Sequence, residues 1–249
     1  MKLFNKKTTL LAISILTVAT YIFYKKIYKP SKTGTQKHYE QLITDRQHQV
    51  WDSLESAGIK QNEFESFYEE YLPRYLKEDA ETQQADISPE VLSVIHEVMH
   101  DLNIDPETVT ITTFDDGSPA AATDGLLLIN ENKFKALSRE SQLFALAHEF
   151  QHMRFKDGST ICALRETVKL HSTEQDDSSM DNPFNQYSRF IETRADINAA
   201  MIGPKYAQAY VTYMDESIKR SGENAGISHP KNSERLALAK EIYSEVAQA

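Results

Sequence analysis

The chain has 249 residues, of which 40% are apolar and 26% charged, a composition that supports one well-filled domain with appendages and excludes a wholly disordered chain. Its single cysteine, Cys162, excludes an internal disulfide, so any metal site would have to be built from histidine and carboxylate. The formal net charge is −10, and residues 1–39 hold eight of the 27 basic side chains and no acid; the acidic remainder presents no basic patch, which speaks against nucleic acid as a partner.

Residues 1–29 read as an N-terminal membrane anchor. Thr8 to Tyr24 is an uncharged run of 17 residues, at the lower limit for a transmembrane helix. Lysines at both ends can snorkel, and Tyr21, Phe23, Tyr24 and Tyr28 are placed like an interfacial belt. The alternative is a signal peptide cleaved near Thr17-Val18-Ala19, leaving an exported protein. Lysines on both sides leave the orientation of an anchor open. Residues 30–85 read as a helical connecting region, with Leu42, Val50, Trp51, Leu54 and then Phe64, Phe67, Tyr68, Tyr71 at helical spacing, broken by Gly58 and Pro73.

A new domain is expected over 86–249, opening with the helix start Ser88-Pro89-Glu90. Its first helix contains "HEVMH", His96 to His100, and a later helix contains "HEFQH", His148 to His152. H-E-x-x-H at one helical turn puts both imidazoles on one face, where they can reach one zinc ion while the intervening glutamate approaches its bound water. The motif is short enough to arise by chance, and the surroundings of the two copies differ. In "SPEVLSVIHEVMHDLNI" the residues Val91, Leu92, Val94, Ile95, Val98, Met99 and Leu102 form one apolar stripe with His96 and His100 opposite, an amphipathic helix with a solvated histidine face. In "SRESQLFALAHEFQHMRF" the histidine face includes Ala145 and Phe155, so this helix is apolar nearly all round and suited to burial. Between the copies, Gly125 to Asn130 is an apolar strand, which could hold an extended peptide on a free edge or be buried on both faces.

A catalytic zinc also needs a third protein ligand. "HSTEQDDSSMDNP", His171 to Pro183, reads as a polar surface loop, and beyond it "SRFIETRADINAAM" places Glu192 and Asp196 on one helical face. Glu192 can ligate, while Asp196 can accept a hydrogen bond from a ligating histidine; alone, the two would read as an exposed acidic pair flanking Arg194. Near the end, "GISHPKNSERLALAK" sets Pro230 in the first turn of a helix and His229 at the loop-to-helix junction.

"LAHEFQH" followed by "ETRAD" resembles the gluzincin metallopeptidases that include the CAAX prenyl endopeptidases and HtpX-like heat-shock proteases. The resemblance runs from about Asp86 to Ala239 and takes in "VTITTFDDGSPAAATDGLLLINENKFKALS" and the late "SHPKNSERLAL". "SPAAA" departs from a common pattern with asparagine at its third position, here Ala120, which bears on a local substrate contact. The resemblance implies an α+β, predominantly helical gluzincin domain with a small β-sheet behind an N-terminal transmembrane helix. It implies one zinc per chain held by His148, His152 and Glu192, with Glu149 as general base and Asp196 orienting a ligand. It also points to His229 as a donor to the oxyanion, with Arg235 bracing it or meeting substrate. His96 and His100 fall where the family needs no ligand. The implied activity is a membrane-anchored zinc metalloendopeptidase acting on protein or peptide substrates, with a place in membrane protein quality control. The rival expectation is a catalytically silent membrane-anchored adaptor of the same fold, against which an intact Glu149 argues.

Overall fold

The computed structural model describes residues 34–61, 64, 87–115, 117–171, 182–223 and 229–247. The chain divides into two compact units, Met1–His38 and Tyr39–Ala249, and the architecture below is that of the second. Among the described residues the elements run α1 (Gly34–Ser56), α2 (Pro89–Leu102), a 3-10 turn (Pro106–Thr108), β1 (Thr110–Thr113), β2 (Ala120–Thr123), β3 (Leu126–Ile129), α3 (Glu131–Lys135), α4 (Arg139–Phe155), α5 (Asp157–His171), α6 (Pro183–Ala200), α7 (Pro204–Ser221) and α8 (Asn232–Val246). The protein is thus predominantly helical with a small mixed sheet, as the sequence leads one to expect. No helix among the described residues is long and apolar enough to cross a membrane. The anchor expected at Thr8 to Tyr24 lies outside the described residues, as do 65–86 and 172–181.

Local signals set the helix ends. Pro89 at the first position and Glu90 in the first turn start α2, and Asn103, left-handed at φ 54°, stops it. Val91, Val94, Ile95, Val98 and Met99 on its inner stripe are buried, and His96 and His100 face solvent. Ser138 caps α4 by accepting from the Ser141 N–H, and left-handed Lys156 (φ 55°) ends it.

The sheet order is β1-β3-β2, with β3 parallel to β1 and antiparallel to β2. Gly125, at φ +85°, makes the tight turn between Thr123 and Leu126. The central position of β3 corrects the free edge considered for that strand: both of its edges are paired. Its unbroken Leu-Leu-Leu-Ile run is what a strand enclosed within a sheet requires. The edge strands are β1 and β2, and β2 is the one packed on α4. Asn130 donates to the Pro119 carbonyl, and Thr123 lies opposite Leu126, so the pairs bonded to β3 are the odd-numbered residues of β2. Ala120 and Ala122 therefore turn their backbone groups to the open edge.

Helix α4 is the axis of the fold, packed against α2, α6, α7 and β2. The main core gathers Leu127, Ile129, Phe134, Phe144, Leu146 and Phe150 with the inner stripe of α2 and with Tyr206, Tyr210 and Met214 of α7. A second cluster joins Val50 and Leu54 of α1 to Leu164 of α5 and to Tyr187, Phe190 and Ile191 of α6. Substituting alanine for a side chain as enclosed as Leu146 or Phe150 would cost about 2–5 kcal/mol.

Candidate metal centre

The geometry begins on α4. One turn apart on the buried middle of this helix, His148 and His152 are each 8% exposed. Their rings stand 4.5 Å apart and nearly perpendicular, with the two Nε2 atoms 2.9 Å from each other. Helix α6 crosses this face and brings Glu192, whose Oε2 is 3.2 Å from His148 Nε2 and whose Oε1 is 3.5 Å from His152 Nε2. The three side chains offer one ligand atom each within 4.8 Å of one another.

Behind each imidazole stands a carboxylate. Asp157 Oδ2 lies 2.9 Å from His152 Nδ1. Asp196 Oδ1 lies 2.9 Å from His148 Nδ1, a close approach at an angle too bent for a hydrogen bond. Asp196 is wholly enclosed and held by three hydrogen bonds: Arg235 Nε and an Arg235 terminal nitrogen donate at 2.7 Å each, and the Tyr210 hydroxyl donates at 2.6 Å. Tyr210 stacks on Phe144 at 4.3 Å, which ties the carboxylate back to α4.

The two Nε2 atoms face each other and Glu192, whose buried Oε2 has no hydrogen-bond partner among the described residues. Nitrogen and oxygen atoms converging within 4.8 Å repel unless protons or a cation lie among them. The three residues therefore fit a metal ion, and imidazole with carboxylate is a donor set of the kind that zinc accepts. The protonation tendencies express the same demand. Burial and the neighbouring His152 pull His148 down, yet Asp196 and Glu192 outweigh them and raise it to about 9. Burial also lowers His152, but Asp157 and Glu192 lift it well above its ordinary value. Glu192, which burial alone would raise, is held well below the carboxylate range by His148, His152 and His229.

Glu149 is half-buried beside this group and is driven the other way, upward by desolvation, although His148 and His152 oppose the rise. The Ala122 N–H on the open edge of β2 donates to it. Glu149, His148 and Glu192 line a cleft of about 100 Å³ together with Ser118, Pro119 and Ala120, the aromatic pair Phe144 and Tyr213, and His229 and Arg235. His229 sits on its rim, 45% exposed, with Nε2 3.2 Å from Glu192 Oε2. Its support differs in detail from the expectation: α8 begins at Asn232 with Lys231 as its N-cap, so Pro230 precedes the helix rather than opening it. Arg235 pairs with Asp196 as well as lining the cleft.

The structure thus brings together His148, Glu149, His152, Glu192, Asp196 and His229. It leaves His96 and His100 on the surface, where the intervening Glu97 contacts Arg139 and Lys205. Sequence reasoning missed Asp157, Tyr210 and Tyr213. Asp157 alone had a local signal, a carboxylate five residues beyond His152, whose direction depends on the left-handed turn at Lys156. Compared with models of protein families, with curated proteins and with solved structures, the chain matches none.

Proposed function

We propose that this chain is a zinc-dependent metalloendopeptidase of the gluzincin type, held to a membrane by its N-terminal segment and hydrolysing peptide bonds of protein substrates. The observation that carries the proposal is the convergence of His148, His152 and Glu192, of which His148 and Glu192 line a cleft whose other lining includes a glutamate raised by burial and a strand with an open edge. A structural metal site has no need of the last two.

His148, His152 and Glu192 would hold the ion, which when bound supplies Lewis-acid polarisation of the peptide carbonyl and a water made acidic enough to lose a proton near neutral pH. The substrate backbone pairs with the open edge at Ala120 and lies across the cleft. Glu149 takes the proton of the attacking water at its carboxylate and passes it to the leaving amine, a role helped by the burial that raises this carboxyl. His229 on the rim donates to the oxyanion that develops on the carbonyl. The basic, uncharged-then-basic pattern of residues 1–29 supports the anchor.

Metal analysis and peptide cleavage on the same preparations test this. The full-length chain should carry one zinc; His148→Ala should lose it and His96→Ala should keep it. Glu149→Gln, which preserves shape but cannot accept the proton, should retain zinc and lose cleavage. Undiminished turnover in Glu149→Gln, with contaminating protease excluded, would overturn the enzymatic reading.

A further inference from the structure

Each metal-facing histidine is backed by a carboxylate, and each carboxylate by an arginine. The His148 arm ends in Asp196 and Arg235. The His152 arm is built from different material. Asp157 is the first residue of α5, and it reaches back to His152 only because Lys156 adopts the left-handed conformation that breaks α4 from α5. The next residue, Gly158, lets the start of α5 press against β2: a Cβ there would stand 2.5 Å from Thr123 Oγ1 and 3.3 Å from the Thr123 Cα. The break and the close approach together put a carboxylate that is 2% exposed one helical turn below His152.

A carboxylate so enclosed needs a cation, and Arg194 of α6 provides it by donating to Asp157 Oδ1. The guanidinium lies over Phe155 at 4.3 Å and faces Phe190 at 5.3 Å. Its buried Nε makes no hydrogen bond among the described residues, where the group is held by Asp157 and the two rings. Within five residues α6 therefore presents the metal-facing Glu192, the Asp157-holding Arg194 and the His148-facing Asp196.

We propose that Asp157 and Arg194 are positioning residues that fix the ring of His152, so that Arg194 governs how tightly the metal is held by acting through Asp157. The proposal rests on the reading of His148, His152 and Glu192 as a metal site. The physical basis is that a ligand imidazole whose Nδ1–H is pinned to a carboxylate has its tautomer and direction settled before the metal arrives, whereas a free ring must be ordered by binding.

The test is metal affinity, by chelator competition with Zn²⁺ on the purified full-length chain, together with the visible absorption of the Co²⁺-substituted protein, which reports ligand geometry. Asp157→Ala should bind Zn²⁺ about 10- to 100-fold more weakly and change the Co²⁺ spectrum. Arg194→Ala should weaken binding by about 10-fold, and Arg194→Lys, which keeps a cation beside the carboxylate, should recover part of that loss. Because Arg194 acts through Asp157, the Asp157→Ala/Arg194→Ala pair should bind no more weakly than Asp157→Ala alone. The isosteric Asp157→Asn, least disruptive to folding, is read alongside and should lose affinity in the same direction. Wild-type affinity and spectrum in the Asp157 variants, or losses that add in the double variant, would overturn the proposal. A wild-type chain that takes up no zinc would overturn the metal-site reading and this proposal with it; variants that match a zinc-binding wild type would overturn only the roles of Asp157 and Arg194.

Discussion

Arg235→Met removes the strongest support of Asp196 while filling most of the same volume, so its effect isolates a charge rather than a cavity. In the native protein Asp196 is fully enclosed and Arg235 only 11% exposed. The variant leaves the carboxylate with the Tyr210 hydroxyl and a bent approach to His148. Breaking a buried pair on one side costs about 3–5 kcal/mol, because the remaining charge keeps its desolvation penalty. For a domain of this size each kcal/mol moves Tm by about 2–4 °C, so the melting temperature should fall by about 6–20 °C at neutral pH. The melt is followed by circular dichroism in chelator, which removes the contribution of metal binding. The pH dependence has a fixed sign. Burial raises the Asp196 carboxyl, but Arg235 and His148 outweigh it and hold the group below the ordinary range. Its contribution is therefore present above the unfolded pKa of about 3.9 and lost as the pH falls through the depressed native value. The penalty of Arg235→Met should be full at neutral pH and shrink in acid. A Tm shift under about 2 °C at neutral pH, or a penalty that grows on acidification, would refute this account of Asp196.

His229→Ala should lower turnover by about 100-fold with zinc content and melting temperature unchanged, the scale of losing one oxyanion donor; loss of zinc, or a wild-type rate, would remove His229 from the proposed chemistry. In metal-free protein the raised His148 and His152 should contribute stability that is full below the unfolded pKa of about 6.5 and lost as the pH rises through the native value, about 9 for His148. Melts in chelator across that window should show the decline, melts in excess zinc should flatten it, and a flat metal-free profile would contradict the geometry of the pair. The full-length protein should resist alkaline extraction from membranes and deletion of residues 1–29 should release it, whereas a mature N-terminus near Thr20 would show a processed signal peptide instead.

The parts of the site legible in the sequence are those whose geometry is a property of one helix. His148 with His152, and Glu192 with Asp196, are separated by one turn and must share a face wherever their helices lie. The bounds of α4 were likewise written locally, in Ser138 at one end and the last apolar residue, Phe155, at the other. What could not be read depends on how distant elements meet. Tyr210 and Arg235 reach Asp196 from 14 and 39 residues away; nothing near Tyr210 marks it, and the late segment that singles out Arg235 points it to His229 or substrate rather than to Asp196. Asp157 was hidden because the break that aims it occurs at a lysine rather than a glycine. The run Leu126 to Ile129 announces a buried strand, but its central place follows from the parallel pairing with β1, which the local sequence does not encode. The open edge fell instead to Ala120–Thr123, whose small residues let α4 come close.

The same four-letter pattern occurs in α2 and α4, and packing separates them. Helix α2 buries one stripe against the core and presents the other face to water, so His96 and His100 are solvated by default. Helix α4 is covered by α2, α6, α7 and β2, so a polar side chain on it must find partners within the protein or forfeit its hydration. The groups that face His148 and His152 are carboxylates, and carboxylates gathered around two imidazoles create the electrostatic demand for positive charge. The glutamates inside the two motifs follow the same division in opposite directions. Lys205 and Arg139 hold Glu97 below its ordinary pKa on the surface, which weakens it as a base. Desolvation raises Glu149 beside the cleft, and the surrounding histidines only partly offset it. In the proposed chemistry Glu149 must accept a proton and then release it, and the enclosure of α4 that gathers the donors also shifts this carboxyl in the direction that role requires.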